Sequence, residues 1–140
     1  MNVTDIILAT HGSLANGLKE AAETIMGPID HMACFHLTMD KSIDAFTEEI
    51  LQALDKSEEN VIVFTDLLGA SPFNATARGI SEFSNKNIVC ITGVNLPMVL
   101  ECVMKRDEWD VYPLSEYLLT LGKDGITDLS YKKVNEVNHE

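Results

Sequence analysis

Three apolar runs, each ending abruptly in small and polar residues, set the rhythm of this chain. Val3 to Ala9 is apolar apart from Thr4 and Asp5 and stops at Thr10-His11-Gly12. "VIVFTD", opened by Asn60, runs into Leu67-Leu68-Gly69-Ala70-Ser71-Pro72, and "IVCIT", opened by Asn87, runs into Gly93-Val94-Asn95. Continuous short runs of this kind read as strands covered on both faces. Met32 to Leu37 reads as a further short strand.

Between the runs the apolar spacing changes to that of helices. Leu14, Leu18, Ala21, Ala22 and Ile25 share one face of a helix that Ser13 can cap and Gly27-Pro28 ends. Ile43, Phe46, Ile50, Leu51 and Leu54 share a face from Ser42 to about Leu54. Ser71-Pro72 fits an N-cap followed by a first helical position, and Pro97 fits another first turn. Leu114 to about Leu121 reads as a short helix closed by Gly122. "GITDLSY" reads as a last strand, and the residues after Lys132 as a polar, frayed tail. The expected order is strand, helix, strand, helix, strand, helix, strand, helix, helix, strand. Such alternation predicts an α/β fold, a mostly parallel sheet with helices on both faces. The predicted organisation is one domain over residues 1–132 and a tail over 133–140.

Composition narrows the class. The 140 residues are 46% hydrophobic, which suits a globular chain. No apolar stretch reaches the roughly 18 residues of a membrane helix, and no basic leader precedes the first strand, so a cytoplasmic protein is expected. Net charge is −12, from 22 acidic and 10 basic residues. That balance disfavours a nucleic-acid ligand and suits a partner with a basic docking face. The cysteines Cys34, Cys90 and Cys102 form no CxxC pair and sit among apolar neighbours, as buried reduced thiols do. No metal-ligand spacing is present, and no cofactor is implied.

In a parallel sheet the three polar tips lie on one side, where ligand sites form at the reversal of strand order. His11, Asp66, Ser71 and Asn95 can therefore meet although they are distant in sequence. An imidazole with one unprotonated nitrogen is a nucleophile. A carboxylate on its other nitrogen, a role open to Asp66, fixes the tautomer and stabilises the cation formed on attack. Ser71 offers a hydroxyl beside the free N–H groups of a helix start, which suit a phosphate. Gly69 lets the backbone approach that anion, and Ala70 and Asn95 complete the candidate set. The alternative is structural: a lone histidine at a strand end, an aspartate capping a turn and a serine capping a helix. His36 reads as packed or solvent-facing, and His31 and His139 as loop and tail residues.

"ILATHGSLANGL", "FTDLLGASPFNATAR" and "ITGVNLPMVLE", in this order, resemble the mannose-family enzyme IIA of the bacterial sugar phosphotransferase system, over about residues 3 to 130. The resemblance implies four parallel strands and one antiparallel strand, the last exchanged within a homodimer, here the "GITDL" region. It implies that His11 takes phosphate from the carrier HPr and passes it to a cognate enzyme IIB, which phosphorylates sugar entering through membrane permease subunits. It implies that Asp66 orients the ring at Nδ1, that Nε2 carries the phosphoryl group, and that Ser71 contacts it. Leu67 and Leu68 stand where some relatives have Thr and Trp. Some relatives continue into a fused IIB domain, whereas this chain is expected to be free-standing. Rival readings are a phosphorylation-responsive regulatory module, a phosphoryl donor to dihydroxyacetone kinase, and a nucleotide- or flavin-binding domain. "THGSLANG" lacks the G-x-G-x-x-G pattern, which counts against the last.

Overall fold

A computed structural model describes residues 3–138. The expectation for His139 lies outside them. Strand β1 (Thr4–His11) leads into helix α1 (Leu14–Met26), then β2 (Met32–Leu37), α2 (Ile43–Lys56), β3 (Asn60–Thr65), α3 (Ser71–Glu82), β4 (Asn87–Thr92), α4 (Leu96–Lys105), α5 (Val111–Asp124) and α6 (Tyr131–Asn138). The strands form one parallel sheet in the order β2-β1-β3-β4. The chain steps outward from β1 to β2, then crosses back to β3 on the other side of β1. β1 and β3 are the central pair, in register from Thr4 opposite Asn60 to Ala9 opposite Thr65. The reversal of strand order falls between them, and that is where such sheets place ligands.

Strict alternation along the central strands builds two cores. Ile6, Leu8, Ile62, Phe64 and Ile91 face α1, α4 and α5, where Ala15, Ala22, Met98, Val99, Cys102, Leu114 and Leu118 meet them. Ile7, Ala9, Val61, Val63 and Ile88 face α2 and α3, against Phe46, Ile50, Leu54 and Ala75. Both faces of β1 and β3 are covered, which explains why their sequences are continuously apolar rather than alternating.

Several boundaries move for identifiable reasons. Ser13 makes no side-chain cap bond. The hydroxyl of buried Thr10 accepts from the N–H of Ala15 instead, at 2.8 Å. Ala70 is the N-cap of α3, so Ser71 and Pro72 occupy its first turn. α5 extends from Val111 to Asp124, beyond the expected Leu114 to Leu121. Its Pro113 lies in the first turn, where a missing N–H costs nothing. Gly122 does not close it: a Cβ there would stand 2.4 Å from Met98 Cε, so the glycine marks a close approach.

The C-terminal expectation needs the largest revision. Gly125–Ser130 belongs to no strand, and the chain continues as α6 over Tyr131–Asn138, where a frayed tail was expected. A strand exists only where its N–H and C=O groups find a ladder, and within the single chain this segment has none. The described sheet therefore has four parallel strands, without the antiparallel fifth. Cys102 is buried, but Cys34 and Cys90 are only half-buried. Burial raises all three thiols, Cys102 to about 12, so none is a ready nucleophile at neutral pH.

Candidate active site

His11 is the last residue of β1, opposite Leu37 of β2. Gly12 then turns the chain off the sheet. Its φ of +57° is one that a side chain resists, and its N–H donates to the Leu37 carbonyl at 3.0 Å. On the adjacent strand, β3 ends at Thr65 and Asp66 begins the loop to α3. The two tips thus project side by side from the central strand pair.

They meet through one oxygen. Asp66 Oδ2 accepts the backbone N–H of His11 at 3.0 Å and lies 2.9 Å from Nδ1 of the same residue's ring. Asp66 Oδ1 accepts the N–H of Leu67 at 3.1 Å. The carboxylate is held at both oxygens and fixes the imidazole relative to its own main chain. The ring is 42% exposed and the carboxylate 13%, so Asp66 forms the floor and Nε2 is left on the open side. Burial pushes the Asp66 carboxyl up. The N–H of His11 and the hydrogen bond to its ring, joined by the ring's charge whenever it is protonated, outweigh that and hold it below its ordinary value. An imidazole tied at Nδ1 to an ionised carboxylate presents a lone pair at Nε2, the arrangement that makes a histidine a nucleophile.

The loop from Leu67 to Ala70 carries the second part of the site. Gly69 has φ +78°, its carbonyl accepts from Asn74 Nδ2 at 3.0 Å, and the N–H of Ala70 donates to the Leu67 carbonyl at 3.4 Å. The turn delivers Ser71 to the start of α3, half-buried, on the same strand-end rim as His11. The N–H groups of Ser71 and Phe73 belong to the first helical turn, which has no intrahelical acceptors for them. Such N–H groups favour an anion.

Asn95 does something different from what its place at a strand tip suggests. Its Oδ1 accepts the N–H of Met98 at 3.2 Å, capping α4, and its Nδ2 donates to the Gly122 carbonyl of α5 at 2.9 Å. Both ends of the amide are occupied within the scaffold. Two further groups shape the site without standing out in the sequence: Thr10, whose hydroxyl anchors α1 behind His11, and the main-chain N–H of His11 itself. The bond that Thr10 accepts has a signal in the small polar residue preceding the turn; the N–H of His11 has none in residue type. His36 Nε2 accepts from the N–H of Asn16 at 3.2 Å, so this imidazole ties β2 to α1. Among the described residues, no group of three or more His, Cys, Asp or Glu side chains could hold a metal ion, and no helix is long and apolar enough to cross a membrane.

A profile for the PTS system fructose IIA component matches residues 5–117, most of the chain. The chain is similar to the sorbose-specific EIIA component of Lacticaseibacillus casei, 26% identical over 137 residues, covering 97% of this chain and 98% of that protein. It is 28% identical over 134 residues to the mannose-specific EIIAB component of Escherichia coli, covering 94% of this chain but 41% of that longer protein. Among solved structures, the phosphotransferase system component EIIA of Streptococcus agalactiae superposes with a TM-score of 0.81 at 28% identity, over 89% of this chain and 96% of that one. With its strand order, its two-faced core and a family match from β1 into α5, this chain belongs to the mannose and fructose family of IIA components of the sugar phosphotransferase system.

Proposed function

We propose that Nε2 of His11 is the atom that carries the phosphoryl group, and that the protein works as a phosphocarrier between HPr and a cognate enzyme IIB. The observation that carries this reading is the contact of Asp66 Oδ2 with both the N–H and Nδ1 of His11. A donor phosphohistidine approaches the strand-end rim, and the Nε2 lone pair attacks phosphorus in line. The new N–P bond forms as the donor's N–P bond breaks, and the donor ring keeps the electron pair. The positive charge that appears on the His11 ring lies against Asp66, whose carboxyl is already held in its ionised form. The hydroxyl of Ser71 and the free N–H groups of the first turn of α3 hold the equatorial oxygens, with Gly69 and Ala70 shaping that turn. Positioning and fixed dipoles are sufficient contributions for such an exchange. The bond made resembles the bond broken, so transfer runs in both directions with little change in free energy.

Asn95 has a scaffolding part in this scheme, since both ends of its amide are engaged with α4 and α5. The Gly125–Ser130 segment is read as the strand exchanged in a homodimer. Ile126 and Leu129 within it are 75% and 79% exposed, apolar surface that a partner would cover. The membrane permease subunits are indirect partners, reached through IIB, and the site belongs in the cytoplasm, where HPr is met. The test is labelling with phosphoenolpyruvate, enzyme I and HPr. His11→Ala should take no label at this site, and Asp66→Asn should stay folded but accept phosphate roughly a hundredfold more slowly. Undiminished labelling of the His11→Ala chain would remove His11 from the reaction.

A further inference from the structure

A second imidazole–carboxylate pair lies at the opposite end of the sheet. His31 Nδ1 is 3.0 Å from Asp5 Oδ1. The two side chains are 43% and 18% exposed, close to the values for His11 and Asp66. Asp5 is held at its other oxygen by a main-chain N–H, that of Glu58 at 2.8 Å, just as Asp66 is held by Leu67. Six residue steps of extended strand lead from Asp5 to His11, so the two pairs stand about 20 Å apart along β1.

The histidine of this second pair is rigidly held. His31 is the one non-glycine residue with a positive φ, +51°, among the described residues. Its carbonyl accepts the N–H of Ile6 at 2.9 Å and Nη1 of Arg106 at 3.1 Å. The same guanidinium, nearly buried, binds the Asp30 carbonyl at 2.7 Å and the Asp30 carboxylate at 3.1 Å. A left-handed residue so braced stores conformational cost in a fixed geometry, a feature that gathers at functional sites. The pair opens on a cleft of about 380 Å³ walled by Ile7, Met32 and Ala53 and flanked by Lys56 and Ser57. Lys56 has no hydrogen-bond or ion-pair partner among the described residues.

We propose that His31 is a second phosphoryl-accepting histidine, loaded at Nε2 from an N–P donor of the phosphohistidine type, and that Lys56 supplies the positive charge beside the phosphoryl oxygens. The proposal rests on the reading of His11 for its chemistry alone. The Nε2 lone pair of His31 forms the new N–P bond while the donor's N–P bond breaks. The released electron pair stays on the donor nitrogen, which leaves neutral because the donor already carries a proton. Asp5 is a positioning residue: it keeps the proton on Nδ1 and balances the cation that forms on the ring.

The test uses the whole chain and phosphoramidate as the donor, with N-acetylhistidine as the unassisted reference and peptide mass mapping as the readout. His11→Ala should gain one phosphoryl group on His31, at least about tenfold faster than the reference is labelled. His11→Ala with His31→Asn, a substitution that tolerates the left-handed backbone, should lose that label. Asp5→Asn should slow labelling at His31 about tenfold or more while the rate at His11 in the same molecule stays unchanged, which a general loss of folding could not produce. Labelling of His31 no faster than the reference would overturn the proposal, and so would equal labelling with and without Asp5. Label on His31 alone in the unmutated chain would sink the reading of His11 and leave that of His31 standing.

Discussion

At the scale of single residues, the site depends on one carboxylate oxygen that touches both the backbone and the ring of His11. The pKa of Asp66 lies below its ordinary 3.8 in the folded chain. A carboxylate depressed in this way adds stability above the unfolded value and loses it as pH falls through the folded value. Asp66→Asn should therefore cost about 2 kcal/mol at neutral pH, the scale of a lost charge-assisted hydrogen bond. That gap should shrink as pH falls below about 4, where the unfolded carboxyl takes up its proton while the folded one, held lower, is still ionised. Urea unfolding of both chains from pH 7 to pH 3 checks this, and a gap of constant size would deny the ionised contact. His11 and Asp66 were legible in the sequence because each directly follows an apolar run, so topology alone brings them to one rim. Asn95 obeyed the same rule and yet spends its amide on α4 and α5. Position at a strand tip selects candidates but does not say which way a short polar side chain will bond.

At the scale of elements, the order from β1 to α5 could be read from apolar periodicity, because both faces of the sheet are covered and each helix has a single buried stripe. The glycines could not be read in the same way. Gly79 and Gly122 lie inside helices as contact points, and a sequence shows a helix-breaking residue without showing what presses against it. A Cβ at Gly79 would stand 2.2 Å from Leu54 Cδ1, a side chain with no exposed surface, where α3 crosses α2. Gly79→Ala gains about 1 kcal/mol of helix propensity against about 1–3 kcal/mol of overpacking. A net loss of about 1 kcal/mol is expected, read as a lower midpoint in thermal unfolding. Arg106, at the end of α4, is the complementary case of a charged residue turned inward. Its guanidinium serves the carbonyls of Thr4, Asp30 and His31. Arg106→Met keeps the volume but strands those acceptors, and should cost about 3 kcal/mol by chemical denaturation.

At the scale of the molecule, the C-terminal region was the part least legible in the sequence. Ile126, Thr127 and Leu129 have the residue preferences of a strand, but whether they form one depends on an edge that the single chain does not offer. Exchange within a homodimer would supply it, and sedimentation should then give twice the chain mass of 15.5 kDa; a single-chain mass would exclude the exchange. The central strand pair has a further consequence. His11 and Asp66 extend from β1 and β3, which are zipped together over six residue pairs in the middle of the sheet. Fraying at either edge strand leaves them in place, so no partial opening of the periphery separates imidazole from carboxylate. In hydrogen exchange the amide of His11, whose acceptor is Asp66, should report global opening, and the carrier should stay competent as long as any folded molecule remains.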